Sequence, residues 1–319
     1  RDPDRRQINT TRSNNHLHRD PMTQGILLIA AGNPFYGNSA YHLALTIKHA
    51  DPDAKICLAY STSAIAHLSE EEKKFFDEMV LLQDHHLKGN GKPDYMRPKL
   101  YAYELSPFDK TILLDVDMIW NPKRTVTELF EELQGSEFSI ISEGYCNAVG
   151  DGKLNPRYTF WADREAIVYE FMNEPGFLSG KLYQFRSEFI YFVKGKKCET
   201  FFSKAIEARE RINFEVKTLG GHIPDELCFD IAGAITHTYP HQDMWTPIHW
   251  YWFHGTPFEA RKGDILRQYY AISLGGFNAP KEVLNWTKAM LRKAADAHGV
   301  TIRHKFGPKT TSIPERKTF

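Results

Sequence analysis

The run Thr111-Ile112-Leu113-Leu114 constrains the fold more than any other stretch of this 319-residue chain. Four consecutive β-branched or apolar residues leave no polar face. A strand made from them must be covered on both sides, which is the situation of a parallel sheet between two helical layers. The run ends at once in Asp115-Val116-Asp117, within PFDKTILLDVDMIWNP, residues 107–122. In open α/β sheets ligands bind beyond the carboxyl ends of the strands, which is where this pair of carboxylates falls. Carboxylate oxygens suit hard cations such as Mg2+ or Mn2+, and phosphate oxygens of a ligand would complete the coordination.

The spacing Asp-x-Asp alone is not distinctive. It recurs at Asp2 and Asp4 and at Asp51 and Asp53, each time around a proline in polar surroundings, where turn chemistry accounts for it. Only the third copy follows a buried-strand signal.

From Met22 onward strand and helix signals alternate, the pattern of a parallel α/β sheet. Gly25–Ala31 reads as the first strand. Its exit, Gly32 to Ser39, is rich in turn residues and lets backbone approach a nucleotide, with Ser39 predicted to cap a helix through His49. There is no Gly-x-Gly-x-x-Gly and no Walker loop, which excludes both phosphate-binding fingerprints. Lys55–Tyr60 is the second strand. Ser69 and Glu72 form a capping box for a helix carrying Phe75, Phe76 and Met79, and the third strand falls near Val80–Leu82. Residues 84–94 read as a polar loop, and Met96–Tyr101 as a helix start that sets Arg97 and Lys99 just upstream of the acidic pair.

Past Pro122, Thr125 and Glu128 form a second capping box, with Val126, Leu129, Phe130 and Leu133 on one helix face. Phe138–Ser142 is another buried strand. Residues 143–181 are irregular and read as an acceptor-side insertion whose Trp161 and Asp163 are candidates to line a sugar or base pocket. Ser187–Val193 is a strand and Cys198–Arg211 an amphipathic helix. Pro224-Asp225-Glu226 opens a helix through Ile235, a position where the dipole favours acids. His237, His241, His249 and His254 fall within 18 residues, at spacings that match no closed zinc site. Pro280–His298 is a terminal amphipathic helix stopped by Gly299.

Hydrophobic content of 42% and aromatic content of 13% fit a folded protein, and 40 basic residues balance 40 acidic ones, so net charge gives no support for a polyanion partner. The segment Arg292–Phe319, with seven Lys or Arg against two acids, is the one basic patch worth naming. Cys57, Cys146, Cys198 and Cys228 form no Cys-x-x-Cys pair, which points to a reducing, cytoplasmic setting. Ile26–Ala31 is too short to span a bilayer, so no membrane partner is expected. Residues 1–21 read as a disordered leader, 22–275 as one domain, and 276–319 as a C-terminal helix and basic tail packed on that domain or extending from it.

The stretch RPKLYAYELSPFDKTILLDVDMIWNP, residues 97–122, resembles the segment through the Asp-x-Asp motif of GT-A fold nucleotide-sugar glycosyltransferases, particularly family eight and its relatives. A basic residue and a helix precede a Pro-aromatic-Asp-Lys turn, then a buried strand, then the acidic pair. The likeness extends more loosely over residues 22–260. It implies a single Rossmann-like GT-A α/β domain, a mainly parallel sheet flanked by helices, and transfer of sugar from a nucleoside diphosphate sugar, most simply a UDP-sugar, with Mn2+ or Mg2+. By that resemblance Asp117 binds the metal, Asp115 binds metal or ribose, and His254 supplies a third metal ligand. Arg97 or Lys99 touches the diphosphate, Asn33 approaches the nucleoside, and Asp225 with Glu226 faces the acceptor or reacting sugar. The chain departs from the family pattern in having Asp225-Glu226 for Asp-Gln, and Thr256-Pro257-Phe258 for Lys-Pro-Trp.

Acceptors compatible with the sequence are a hydroxymethylated base in DNA, a glycan, a protein or a small molecule. Two rival readings are nucleotidyl transfer onto sugar phosphates, for which the exit of strand one is a poor glycine-rich loop, and a non-catalytic nucleic-acid-binding protein using the basic tail.

Overall fold

A computed structural model describes residues 22–89, 91–147, 161–217, 222–240, 245–250, 261–275 and 279–303. The elements in chain order are β1 (Gln24–Ala30), α1 (Pro34–Ala50), β2 (Ile56–Tyr60), α2 (Thr62–Ile65), α3 (Glu70–Lys73), β3 (Glu78–Leu81), α4 (Asp84–Leu87), β4 (Lys88–Gly89) and β5 (Lys92–Pro93). A 3-10 turn, Arg97–Tyr101, leads into α5 (Ala102–Leu105), β6 (Lys110–Leu114), β7 (Met118–Trp120), α6 (Val126–Glu132), β8 (Phe138–Asn147) and α7 (Arg164–Phe171). After a second 3-10 turn, Phe177–Ser179, come β9 (Lys181–Val193), α8 (Lys196–Arg211), α9 (Asp225–Thr236), β10 (Ile248–Trp250), α10 (Lys262–Gln268), β11 (Ala271–Ser273) and α11 (Lys281–Ala297).

The main sheet has the order β3-β2-β1-β6-β9-β8. The four strands β3, β2, β1 and β6 run parallel, while β9 is antiparallel to both β6 and β8. The consecutive apolar run does what a two-faced strand must. Ile112 and Leu114 enter the core on one side of the sheet, with α1, α6 and α11, while Leu113 enters the core on the other, with α5, α8 and α9. Ile26 and Leu28 of β1 split from Leu27 in the same way. Burying each such side chain contributes about 1.5–3 kcal/mol, so the central strands are where the fold is anchored.

Turn and cap chemistry sets the ends. Thr125 Oγ1 accepts the N–H of Glu128 at 3.1 Å and the N–H of Thr125 donates to Glu128 Oε2 at 2.7 Å, the reciprocal box that starts α6. α11 turns Val283, Thr287, Met290, Leu291, Ala294 and Ala295 inward, the apolar ones into the α1 side of the core, and Gly299 ends it at φ +64°. A second sheet, β10-β11-β7, sits directly behind the acidic pair, where Leu274 N–H donates to the Asp117 carbonyl at 2.9 Å.

Several local expectations differ. α1 begins five residues before Ser39: Asn33 Oδ1 accepts the Phe35 N–H at 2.9 Å and Pro34 follows at the first helical position, a pairing that outcompetes Ser39, whose hydroxyl instead bonds back to the Phe35 carbonyl. The helix expected to carry Phe75, Phe76 and Met79 stops at Lys73. Asp77 then accepts the Ile56 N–H and ion pairs with Lys48 and Lys55, which pulls the chain into β3. The expected loop at 84–94 holds α4, started by Gln83 N–H donating to His86 Nδ1, and the short β4/β5 pair. Strand β9 extends six residues upstream of Ser187 because it pairs with a long, bulged β8. Among the described residues no helix is long and apolar enough to cross a membrane.

Candidate active site

The register of the sheet builds the site. Leu28 of β1 lies beside Leu114 of β6, so the exit of β1 and the acidic pair share one sheet edge. The Asp115 N–H donates to the Glu188 carbonyl at 3.1 Å, carrying the β6/β9 pairing one residue further and bringing two carboxylate-bearing residues together. Gly32, at φ +76°, makes the turn out of β1. A Cβ there would sit 2.9 Å from the Tyr95 ring, so both conformation and space call for glycine.

Lys99 joins three elements. Its ammonium lies 2.6 Å from Asp115 Oδ1, 3.4 Å from Asp225 Oδ2, and donates to Ser187 Oγ at 3.0 Å. Burial disfavours its charge, but the carboxylates of Asp115, Asp225 and Glu226 outweigh that and hold it well above the ordinary lysine range. Burial first, then the charges of Glu188 and Asp225, push Asp115 up to about 6 against the opposing pull of Lys99.

Asp225 and Glu226 form the first turn of α9, behind Pro224, and both are buried. Burial and the adjacent Asp225 raise the Glu226 carboxyl well above its usual range. One turn on, Asp230 is wholly buried. Its Oδ1 accepts the Phe185 N–H at 2.8 Å, and its carboxyl is raised chiefly by burial. On β9, Glu188 is raised by burial, and Arg186 donates from Nε to Glu143 at 2.7 Å.

Tyr36 stands in the first turn of α1, and partial burial and then the charges of Asp117 and Asp115 raise its phenol. The side chain of Asn33 is taken by its cap. Arg97 faces elsewhere: its guanidinium bonds the His85 carbonyl at 2.8 Å and Tyr101 Oη at 2.8 Å and pairs with Glu210. Trp161 packs half-buried against the apolar cluster around Phe171 and Phe177, and Asp163 precedes α7. His254, with Thr256-Pro257-Phe258, lies outside the described residues.

The structure thus brings Asp115, Lys99, Asp225 and Glu226 together at the edge that also carries Asp117. It adds Tyr36, Ser187, Glu188 and Asp230, which the sequence reading passed over. Glu188 and Asp230 did leave a signal, each being a charged residue directly followed by an apolar run, Phe189–Val193 and Ile231–Ala232.

Two neighbouring carboxylates at a strand end are hard oxygen donors of the kind Mg2+ and Mn2+ take, leaving positions for phosphate oxygens and for ligands outside the described residues. Among the described residues one trio of metal-capable side chains has its ligand atoms within 4.8 Å of one another, His85, His86 and Glu104. There the Gln83 N–H donates to His86 Nδ1, which leaves the His86 proton on Nε2, 3.1 Å from Glu104. That tautomer makes a hydrogen-bonded cluster and opposes metal binding at Nε2.

A mostly parallel sheet flanked by helices, with the acidic pair at its carboxyl edge, is the GT-A layout of glycosyltransferases. Among solved structures the chain superposes on the apo form of WbbM, a bifunctional glycosyltransferase, with TM-score 0.52 and 14% identity over 88% of this chain and 51% of that one. The chain therefore spans about half of WbbM, and the likeness establishes the fold. It also resembles galactosyltransferase LgtC in complex with donor and acceptor sugar analogs (TM-score 0.47, 12% identity, 91% of this chain, 98% of that one). GlyE, a glycosyltransferase of Streptococcus pneumoniae TIGR4, gives TM-score 0.48 and 13% identity over 87% of this chain and 65% of that one. No protein-family model matches the chain, and no curated protein matches it by sequence.

Proposed function

We propose that this chain is a metal-dependent glycosyltransferase moving a sugar from a nucleoside diphosphate sugar, a UDP-sugar, to a hydroxyl acceptor. The observation that carries the reading is the contact set of Lys99 with Asp115 and Asp225 at the carboxyl edge of a GT-A sheet. Asp117 and Asp115 would hold Mn2+ or Mg2+, with His254 as a further ligand. Such an ion supplies electrostatic stabilisation to a departing diphosphate.

The remaining steps fall to the chain's own groups. Lys99, fixed by three partners, presents a positive charge beside the diphosphate as negative charge develops on it. Asn33 caps the helix that starts at the nucleoside end, and Tyr36 offers a ring face there. Glu226, buried beside Asp225 in the first turn of α9, would take the acceptor's proton, while Asp225, tied to Lys99, faces the reacting sugar. Arg97 keeps its contacts with Glu210 and Tyr101 and orients the turn that carries Lys99.

DNA as acceptor rests on the basic segment from Arg292 onward, most of whose charges fall outside the described residues, whereas the described site is acidic. A glycan hydroxyl fits that site better. Calorimetric titration of UDP with and without Mn2+ tests the reading. Binding that requires the ion and is lost in Asp117→Asn supports it, and binding indifferent to both overturns it.

A further inference from the structure

The last turn of α8 grips both segments that bring Lys99 and Asp225 to the site. Arg209 donates from Nε to Asp94 Oδ2 at 3.0 Å, from Nη2 to the same oxygen, and from Nη1 to the Ile223 carbonyl. Beside it on α8, Glu210 takes the guanidinium of Arg97. Asp94 and Arg97 lie on the approach to Lys99, and Ile223 and Pro224 lead directly into Asp225. Asp94 is fastened on its own side as well. Its N–H donates to the Leu87 carbonyl at 2.7 Å, its Oδ1 accepts the Met96 N–H at 3.3 Å, and His222 Nδ1 lies 3.8 Å from that oxygen. Arg209 also bears on the thiol of Cys228 in α9. Both members of the ion pair are buried, Asp94 at 6% exposed and Arg209 at 9%.

A buried ion pair is a poor way to gain stability, because desolvation offsets much of the attraction and well-packed apolar side chains often do as well. What this one supplies is direction. A guanidinium is a rigid planar fork, so two nitrogens held on Asp94 fix where the third points, and it points at the backbone just before α9. A lysine in its place is a single point charge on a flexible stem and serves Asp94 or Ile223, not both. Lys99 and Asp225 stand 3.4 Å apart, yet one rides on a 3-10 turn and the other on the first turn of α9, and neither element belongs to a sheet. Asp115, by contrast, follows β6 and is held by its N–H on the Glu188 carbonyl.

We propose that Arg209 is a positioning residue of this site: with Asp94 it sets the start of α9 against the turn that carries Lys99, so that Asp225 meets the Lys99 ammonium. The inference rests on the sugar-transfer reading above, and its first test needs no turnover. Urea unfolding is measured for Arg209→Lys, for Asp225→Asn and for the two combined, each checked for a wild-type circular dichroism spectrum. If Arg209 acts through Asp225, the factor by which Arg209→Lys raises the unfolding constant falls at least about threefold once Asp225 is Asn. A smaller change overturns the proposal, since a clamp that only braces the fold adds independently. Asp77→Asn, between β2 and β3, is the control and should leave that factor unchanged. Should Arg209→Lys not fold, Asp94→Asn, which frees the same guanidinium, takes its place in the cycle. In the second test, Arg209→Lys should lower the kcat for nucleoside diphosphate release at least about tenfold with the donor KM held within about twofold, and should add nothing in the Asp225→Asn chain. An unchanged kcat, or a full further loss without Asp225, overturns the proposal. A coupled unfolding cycle with no release by the wild type removes the transferase reading and leaves Arg209 as the residue that places Asp225. Release by the wild type with an uncoupled cycle does the reverse.

Discussion

Replacing Lys99 by methionine isolates the charge at the centre of the site, because methionine keeps the length and bulk of the stem. Lys99 sits 2.6 Å from Asp115 and 3.4 Å from Asp225, with side chains 18%, 23% and 2% exposed. Removing one member of a buried ion pair costs about 3–5 kcal/mol because its partner is left uncompensated, and the partial exposure of Lys99 and Asp115 places the expected loss near the lower end, about 3 kcal/mol. The loss depends on pH in a definite direction. A carboxyl with a raised folded pKa contributes stability fully below its unfolded value and loses it as pH rises through the folded value. Asp115 stands at about 6 with Lys99 present and moves higher without it. Urea unfolding should therefore show a deficit of about 3 kcal/mol near pH 8 that shrinks to about 1 kcal/mol near pH 5, where the carboxyls take up protons. A deficit below about 1 kcal/mol near pH 8, or the same deficit at both pH values, would refute the reasoning.

Three further outcomes follow from other parts of the molecule. In Gly37→Ala the new Cβ would lie 2.0 Å from the Ala64 carbonyl oxygen, so α1 must shift from α2, and thermal melts should show a loss of about 1–3 kcal/mol. Burial alone would raise Asp77, but the bonds from Lys48, Lys55 and the Ile56 N–H hold it below the usual carboxylate range. Asp77→Asn should cost about 1–2 kcal/mol at neutral pH, and the wild-type advantage should fade as pH falls through the folded Asp77 pKa, as denaturation across acid pH will show. Tyr36→Ala should weaken UDP binding about tenfold by removing an aromatic ring from the first turn of α1, just past the exit of β1, with the melting temperature held, as read by calorimetry.

The strands that carry the core were legible because burial on both faces leaves an unbroken apolar run, and Thr111–Leu114 falls within β6 as that pattern requires. The Thr125 and Glu128 box was equally legible, being a local reciprocal bond. Ser39 was a poorer guide, since Asn33 followed by Pro34 makes a stronger start and sequence alone ranks the two only weakly. The cap of α4 was hidden because a histidine occupies the position where Glu or Gln is usual. The antiparallel edge of the sheet depends on pairing between β8 and β9, a contact between distant segments that no local pattern encodes.

At the site, proximity in sequence favoured Arg97 and Lys99 alike. They stand two apart in a 3-10 turn with three residues per turn, so their side chains leave in different directions, Lys99 toward Asp115 and Arg97 toward Glu210. Glu188 and Asp230 were visible as charges beside apolar runs, but which carboxylates they would join depends on strand order and on the packing of α9 against β9.

The central claim is that the acidic edge of this sheet handles a nucleoside diphosphate sugar with a divalent ion. Its most direct test is the rate of nucleoside diphosphate release from a panel of nucleotide sugars, measured for the wild-type chain with Mn2+, for the same chain after chelation, and for Asp117→Asn. Release by the wild type with Mn2+ that falls at least about a hundredfold in the other two samples is the predicted result. Release that survives both chelation and the loss of Asp117, or no release from any donor, would contradict the account.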